Sequence, residues 1–381
     1  MILEKRIFFI SSSLCPSNNA TGGSIVLYRH LKRFEQEGYE ITFINCSPVD
    51  KRNSNFRQIN LEKKFWHPPL RKTTPLLTTA RARLQAKSLI QKFNFTKGDI
   101  LIGLLEDYVS YLIYFLAKQV NIPFYLFFHD DNIFNRYFKE NILTRKLIKI
   151  IIENCEHFFV VSEPMKEIIS LHGGKNVSVV YPIPDGAFVA NNKRIQSEKF
   201  TFAISGMLLP YFFEKTVSKI NEAVEETDTN LILIGSFNSD YKNSLQHANK
   251  ISIYERFEKL YNLFKFLVEE IDVIIVFYSS DTNEEIRSKY SFPSRFVEFC
   301  HLGIPILIIA PESAAISKWA IKNSWLSYVN NETKTDLVGM INKLKNPEFR
   351  LACIKQCQYF AERDFNPVVI HNRLKLLIEN S

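Results

Sequence analysis

Glycine and cysteine are both scarce in this chain, 12 and 6 among 381 residues. So few glycines, without a period and without an internal repeat, exclude a collagen-like chain, a low-complexity chain and a solenoid. The cysteines (Cys15, Cys46, Cys155, Cys300, Cys353, Cys357) stand at scattered spacings with no CxxC pair. That excludes a zinc ribbon and a disulfide scaffold. Free thiols in a reducing compartment are expected. Long hydrophobic runs are missing as well. The most apolar stretch, about residues 109–128, is broken by Lys118, Gln119 and Asn121, so it reads as a helix and a buried strand rather than a membrane span. The N-terminal residues Met1–Ser13 lack a long apolar core and read as a first strand, not a signal peptide. The GxGxxG dinucleotide fingerprint and any metal-ligand cluster are also missing.

What is present is an ordinary globular composition, 46% apolar and 23% charged, at a length that suits two domains. The net charge of +8 is unevenly spread: residues 1–195 carry 27 Lys and Arg against 17 Asp and Glu, and the remainder carries 21 against 23. A basic first half suits an anionic partner, or a surplus of solvated lysines. No nucleic-acid-binding motif accompanies it, so nucleic acid is not expected.

Read in order, Arg6–Ser12, a polar loop ending in Gly22-Gly23, a helix from Ser24 to Gly38 and a strand from Glu40 form a βαβ unit. The two glycines allow backbone N–H groups to approach an anion at a helix start, although a lone Gly-Gly is a weak signal. Residues 47–75 read as a long irregular loop, with Phe65 and Trp66 among lysines. Such a loop suits a membrane headgroup region, or aromatics packed beneath it. The apolar strand ending at Phe128 runs into His129-Asp130, at the carboxyl end of a parallel strand, where ligands of open α/β sheets bind. A His–Asp pair there suits proton exchange or loop capping. Pro182–Gly186 and the polar residues after it mark a domain boundary. A second α/β alternation starts at Phe200, with a helix expected over 212–226 and another over 256–269. The last stretch, 333–381, has a helical pattern. The expected division is 1–190, 191–365 and a final helix, 366–381, that packs back on the first domain.

The most informative stretch is Ser291–Ile306, Ser-Phe-Pro-Ser-Arg-Phe-Val-Glu-Phe-Cys-His-Leu-Gly-Ile-Pro-Ile. It reads as loop, short helix, glycine stop and buried strand. Arg295 and Glu298 sit in the helix. A carboxylate near a helix start is also plain dipole complementation.

Together these features resemble the GT-B glycosyltransferases, specifically the retaining GT4-like group, over most of the chain. Gly22-Gly23 is similar to that family's first βα loop, and Phe128-His129-Asp130 to its strand end beside the transferred sugar. Val160-Val161-Ser162-Glu163 and Val180–Asp185 are similar to the segment entering its linker. Ser205-Gly206 with Lys215 is similar to its diphosphate-holding element, and Pro293-Ser294-Arg295, Glu298 and Gly303-Ile304-Pro305 to its nucleotide stretch. The resemblance implies an α/β fold of two doubly wound Rossmann-like domains facing a cleft. It implies catalytic roles for His129 and Asp130. It assigns donor contacts to Gly22, Gly23, Gly206, Lys215, Ser294, Arg295 and Glu298, with Glu298 on the ribose.

The implied activity moves a sugar from a nucleotide-diphosphate sugar, without a metal or other cofactor and with retention, to a glycan, lipid-linked or protein acceptor. The implied place is cytoplasmic, peripheral on the inner face of the plasma membrane, with an anionic membrane surface as a possible partner. The chain departs from the pattern at Tyr290, where the family has its first Glu, and at Met207, where it has a basic residue. These departures leave open an accessory subunit that stabilises a partner transferase. A nucleotide-sugar epimerase would require acid–base residues that the sequence does not present.

Overall fold

Short runs of Phe, Ile, Leu and Val, apolar on both faces, dictate strands buried in parallel sheets. The computed structural model describes residues 5–18, 22–46, 53–61, 75–128, 142–186, 199–207, 210–236, 250–278, 288–330 and 333–380. It divides into two units, the first comprising Met1–Ile183 with Ile370–Ser381, the second Pro184–Val369. The boundary expected at 190/191 lies outside the described residues.

The first unit holds a seven-stranded sheet of β1 (Arg6–Ser11), β2 (Glu40–Asn45), β3 (Arg57–Asn60), β4 (Ile100–Leu104), β5 (Phe124–Phe128), β6 (His157–Val160) and β7 (Val177–Val179), in the order β3-β2-β1-β4-β5-β6-β7. All described pairings are parallel, with Ile7 beside Ile41 on one flank and Ile100 on the other. Its helices are α1 (Gly23–Gln36), α2 (Pro75–Phe93), α3 (Asp107–Val120), α4 (Ile142–Asn154) and α5 (Glu163–Leu171). Strand β3 falls in a region expected to be irregular. It is a four-residue edge strand, and Asn45–Asn60 pairing secures its register at its far end. So short an edge leaves little periodicity to read.

In the second unit β8 (Thr201–Met207), α6 (Pro210–Glu226), β9 (Asn230–Ser236), β10 (Ile251–Tyr254), α7 (Leu260–Glu270), β11 (Val273–Phe277), α8 (Ser294–Phe299), β12 (Ile306–Ile309), α9 (Ala315–Lys322) and β13 (Tyr328–Val329) follow in sequence. Strand order is β10-β9-β8-β11-β12-β13, again parallel. Both sheets therefore reverse direction of winding between their first and fourth strands, the doubly wound order. The chain ends in α10 (Lys334–Lys345), α11 (Pro347–Arg363) and α12 (Pro367–Glu379). Helix α7 starts at Leu260, not at Arg256 as the apolar spacing suggests. Phe257 packs on Phe266, ring centroids 5.4 Å apart, and Lys259 is extended, so residues 255–259 leave the strand end as a loop. Among the described residues, no helix is long and apolar enough to cross a membrane.

Each core follows from one apolar helix stripe against a sheet face. Val26, Leu27, Leu31 and Phe34 of α1 cover Ile7, Phe9, Ile41 and Phe43 together with Ile370, Leu374 and Ile378 of α12. In the second unit Val217, Ile220 and Val224 of α6 join Leu337, Ile341 and Leu344 of α10 over Phe202, Ile204, Leu231 and Ile275. Each such fully buried side chain contributes roughly 1.5–3 kcal/mol.

The docked part of α12 carries polar contacts as well. The Tyr125 hydroxyl donates to the Ile378 carbonyl at 3.0 Å, and Tyr39 donates to Glu379 at 2.6 Å. His371 is buried against Phe34 (4.6 Å between centroids) and His30 (6.0 Å), with Nε2 3.5 Å from Glu37. Burial lowers the His371 pKa below the ordinary imidazole value. Glu37 opposes the shift, and Arg33 and Lys375 add to it. The fold therefore holds a neutral imidazole. Its contribution is present above the ordinary value of about 6.5 and is lost as pH falls below it. Lowering the pH from 7.5 to 5.5 is expected to lower Tm in differential scanning fluorimetry, and H371F should make that dependence shallower.

One sheet contact admits no side chain. Gly206 and Gly235 are partners across β8 and β9, and a Cβ on Gly235 would lie 1.9 Å from the Gly206 carbonyl oxygen. Substitution G235A should cost about 2–5 kcal/mol in denaturant unfolding. By contrast, Gly339 in α10 has open space around it. There G339A should stabilise by about 0.5–1 kcal/mol.

Candidate functional site

In the second unit the switch point lies at the carboxyl ends of β8 and β11, where Ser205 and Gly206 stand. Ser205 Oγ accepts a hydrogen bond from Arg295 Nη1 at 2.8 Å. A Cβ on Gly206 would come into ordinary van der Waals contact with that same nitrogen, at 3.7 Å, so Gly206 lies directly beside the guanidinium. The surrounding protein desolvates Arg295 and lowers its pKa; the like charge of Arg256 adds to this, and Glu298 opposes it. A guanidinium remains charged through any such shift. Arg256, the second residue past β10, thus lies within electrostatic reach of Arg295 because α7 begins late. Two cations therefore gather at the carboxyl edge of this sheet, an arrangement that favours an anion.

Helix α8 delivers Arg295 and Glu298. Only six residues long, it could not persist alone. Its position comes from Phe296, fully buried and in edge contact with Trp319 (5.1 Å), Trp325 (5.2 Å) and Phe365 (5.7 Å). A 3-10 turn, Cys300–Leu302, follows, and Gly303 closes it in the left-handed conformation at φ 66°. Ser294 is the first helical residue, and Pro293 ahead of it is the N-cap without a capping side chain. Glu298 Oε2 accepts the Asp185 amide at 3.2 Å, so it ties down the start of its own unit in this state. Lys215 belongs to α6. A hollow of about 700 Å³ is lined by Lys289, Glu312, Ser313, Lys318, Ile321 and Lys322, next in sequence to Tyr290.

In the first unit Gly22 caps α1 with φ 58°, and Gly23 opens the helix without any side-chain cap. Open space surrounds the Cβ position of Gly22, whereas Gly23 packs on Leu14, 2.8 Å from where a Cβ would lie. His129 and Asp130 lie outside the described residues, immediately after β5. A residue that sequence reasoning missed stands at the switch point itself. Glu106, two residues past β4 and almost fully buried, receives Ser12 N (2.7 Å), Ser12 Oγ (2.8 Å), Ser13 N (3.0 Å) and Ser13 Oγ. Its position just beyond a parallel strand was the available signal. The same signal, two residues past β10, marks Arg256. Within the second unit the structure thus brings Gly206, Arg295 and Ser205 together, with Arg256 and Glu298 in electrostatic range of Arg295; Gly22 and Gly23 belong to the first unit.

Residues 20–185 match the family model of Glycosyltransferase Family 4. No curated protein matches the chain. Among solved structures, a glycosyltransferase from Rickettsia africae superposes with a TM-score of 0.71 at 15% identity, covering 99% of this chain and 98% of that one. Anabaena HepE in complex with UDP gives 0.69 at 12%, covering 99% and 100%. Sucrose-phosphate synthase from Thermosynechococcus elongatus gives 0.68 at 13%, covering 99% of both chains. At these identities the structural likeness speaks for the fold. The chain thus carries a match to the Glycosyltransferase Family 4 model over residues 20–185 and has the GT-B fold, two Rossmann-like domains, over its whole length.

Proposed function

We propose that the second unit binds a nucleotide-diphosphate sugar and that the enzyme transfers its sugar, with retention and without a metal, to a glycan, lipid-linked or protein acceptor. The observation that carries this reading is Arg295 anchored on Ser205 beside Gly206, with Arg256 in electrostatic range. A leaving diphosphate gains negative charge as the glycosidic bond breaks, and fixed cations aimed at that charge lower the barrier. In this reading Arg295 and Arg256, with Lys215 from α6, hold the diphosphate. Arg256 makes up for the basic residue that Met207 replaces. Gly206 admits the phosphates close to the backbone, and Ser294 offers its position at the start of α8. Glu298, held by the Asp185 amide, takes the ribose hydroxyls. Gly22 and Gly23 contribute further donor contacts. His129 and Asp130 stand beside the transferred sugar as the catalytic pair. That HepE was crystallised with UDP is consistent with a nucleotide donor.

The same proposal places the enzyme in the cytoplasm, peripheral on an anionic membrane surface. Residues 63–98 contain nine Lys and Arg and no Asp or Glu. On α2, Leu77 and Leu84 are exposed two turns apart, with Arg83 and Lys87 also outward. On α4, Ile142 and Ile150 are exposed with Arg145, Lys146 and Lys149. Apolar side chains set among cations suit lipid headgroups.

Substitution R295A should weaken UDP binding roughly ten- to a hundredfold in calorimetry, the loss of a charge-assisted hydrogen bond of about 1.5–3 kcal/mol, and R256A should weaken it less. If UDP and GDP bind no more tightly to wild type than to R295A, the donor reading fails. Flotation with phosphatidylserine vesicles at low salt should carry the protein upward, and K146E/K149E should reduce that recovery several-fold. Equal flotation with neutral vesicles would count against the charged face.

A further inference from the structure

Glu106 is the N-cap of α3, yet its side chain does not cap that helix. Instead it crosses to the loop after β1. Oε2 takes the Ser12 amide and hydroxyl, and Oε1 takes the Ser13 amide and hydroxyl, with Ser11 Oγ 3.5 Å away. Ser11 Oγ in turn accepts the Leu14 amide at 3.0 Å. Leu14 is the residue against which Gly23 packs. The backbone of Glu106 is fixed too: its N–H donates to the Leu104 carbonyl at 2.9 Å, and its own carbonyl accepts the Ser110 amide at 2.9 Å. A rigid strand end thus passes its position, through one carboxylate, to the loop leading into Gly22 and Gly23. Among the described residues, no Lys, Arg or His lies within ion-pairing distance of this carboxylate. A buried carboxylate without a cation is costly unless its lone pairs are all used. Here both oxygens are bonded at least twice, so the carboxylate is committed to the loop.

We propose that Glu106 is a positioning residue for sugar transfer: it sets the Ser11–Leu14 loop and, through Leu14, the Gly22–Gly23 turn that receives the donor. This rests on the donor reading above. An amide in place of the carboxylate would leave one amide N–H of the loop facing an NH₂ group, so the loop would shift while the sheet stays intact. Serine hydroxyls can turn to accept from that NH₂, but a backbone N–H cannot.

The test compares wild type, E106Q and S13A in the full chain. Hydrogen exchange should show the amides of residues 12–14 and 22–26 exchanging at least tenfold faster in E106Q, with the β1 and β4 amides unchanged. Calorimetric UDP affinity, which reports the second unit, should stay within twofold. UDP release from UDP-glucose and from a panel of other nucleotide sugars should show kcat lowered tenfold or more with KM within twofold. S13A should lie between E106Q and wild type. Unchanged exchange in the loop, or unchanged kcat in E106Q, overturns the proposal. So does a general loss of protection across the sheet, since Glu106 would then serve stability alone. A wild-type protein that binds and turns over no nucleotide sugar refutes the donor reading, and with it any role for Glu106 in transfer. The exchange measurement still separates that failure from a loop that never depended on Glu106.

Discussion

An open parallel sheet that reverses its winding leaves a crevice at the carboxyl ends of two neighbouring strands, and the polar groups there have to be satisfied by something. That constraint governs both halves of this protein. In the first unit the crevice between β1 and β4 is closed from within, by Glu106 on the amides and hydroxyls of Ser12 and Ser13. In the second the equivalent place, between β8 and β11, receives Arg295 on Ser205. One topology thus carries a carboxylate at one switch point and a guanidinium at the other. The carboxylate spends its hydrogen-bonding capacity on its own chain. The guanidinium has five N–H donors and gives one to Ser205 in the contact seen here. The asymmetry explains why an anionic donor is assigned to the second unit.

Much of this fold was legible because buried parallel strands are short, continuous apolar runs, and the helices between them end at Gly38, Gly173 and Gly303. The Ser294–Gly303 segment was legible for the same reason: a glycine after a short apolar helix is well suited to end it in the left-handed conformation, and Gly303 does so. What could not be read was decided by packing. Arg256 looked helical because Phe257, Leu260 and Phe264 share a helical spacing. The contact of Phe257 with Phe266 breaks that frame and leaves Arg256 at the strand end. Glu106 looked like any acidic residue at a helix start, because nothing local says that its side chain will bond residues more than ninety positions earlier. Strand β3 depends on its neighbour β2 and has little pattern of its own.

The aromatic residues under α8 bear on how the site holds its shape. Phe292, Phe296, Trp319, Trp325, Phe360 and Phe365 contact one another edge-on or tilted, at centroid distances from 4.8 to 6.2 Å. Rings in such contacts add about 0.5–1.5 kcal/mol per pair beyond burial. His301 Nε2 adds a polar tie to the Phe365 carbonyl at 3.1 Å. A helix of six residues is thereby fixed by side chains from α9 and the segment after α11, rather than by its own hydrogen bonds. Catalytic groups need placement within fractions of an ångström. A helix clamped by aromatic rings meets that need better than a longer but looser one.

Glu298 shows how the same rigidity sets the terms for a ligand. Its carboxylate already accepts the Asp185 amide, so in the proposed donor reading a ribose hydroxyl meets a carboxylate that is held in place. The cost of ordering a flexible glutamate, up to about 2 kcal/mol for a free side chain, has been met by folding. In the proposed donor reading the Asp185 amide thus prepares Glu298 for the sugar end of a nucleotide as the Ser205 hydroxyl prepares Arg295 for its phosphates, and both depend on α8 staying where its rings hold it.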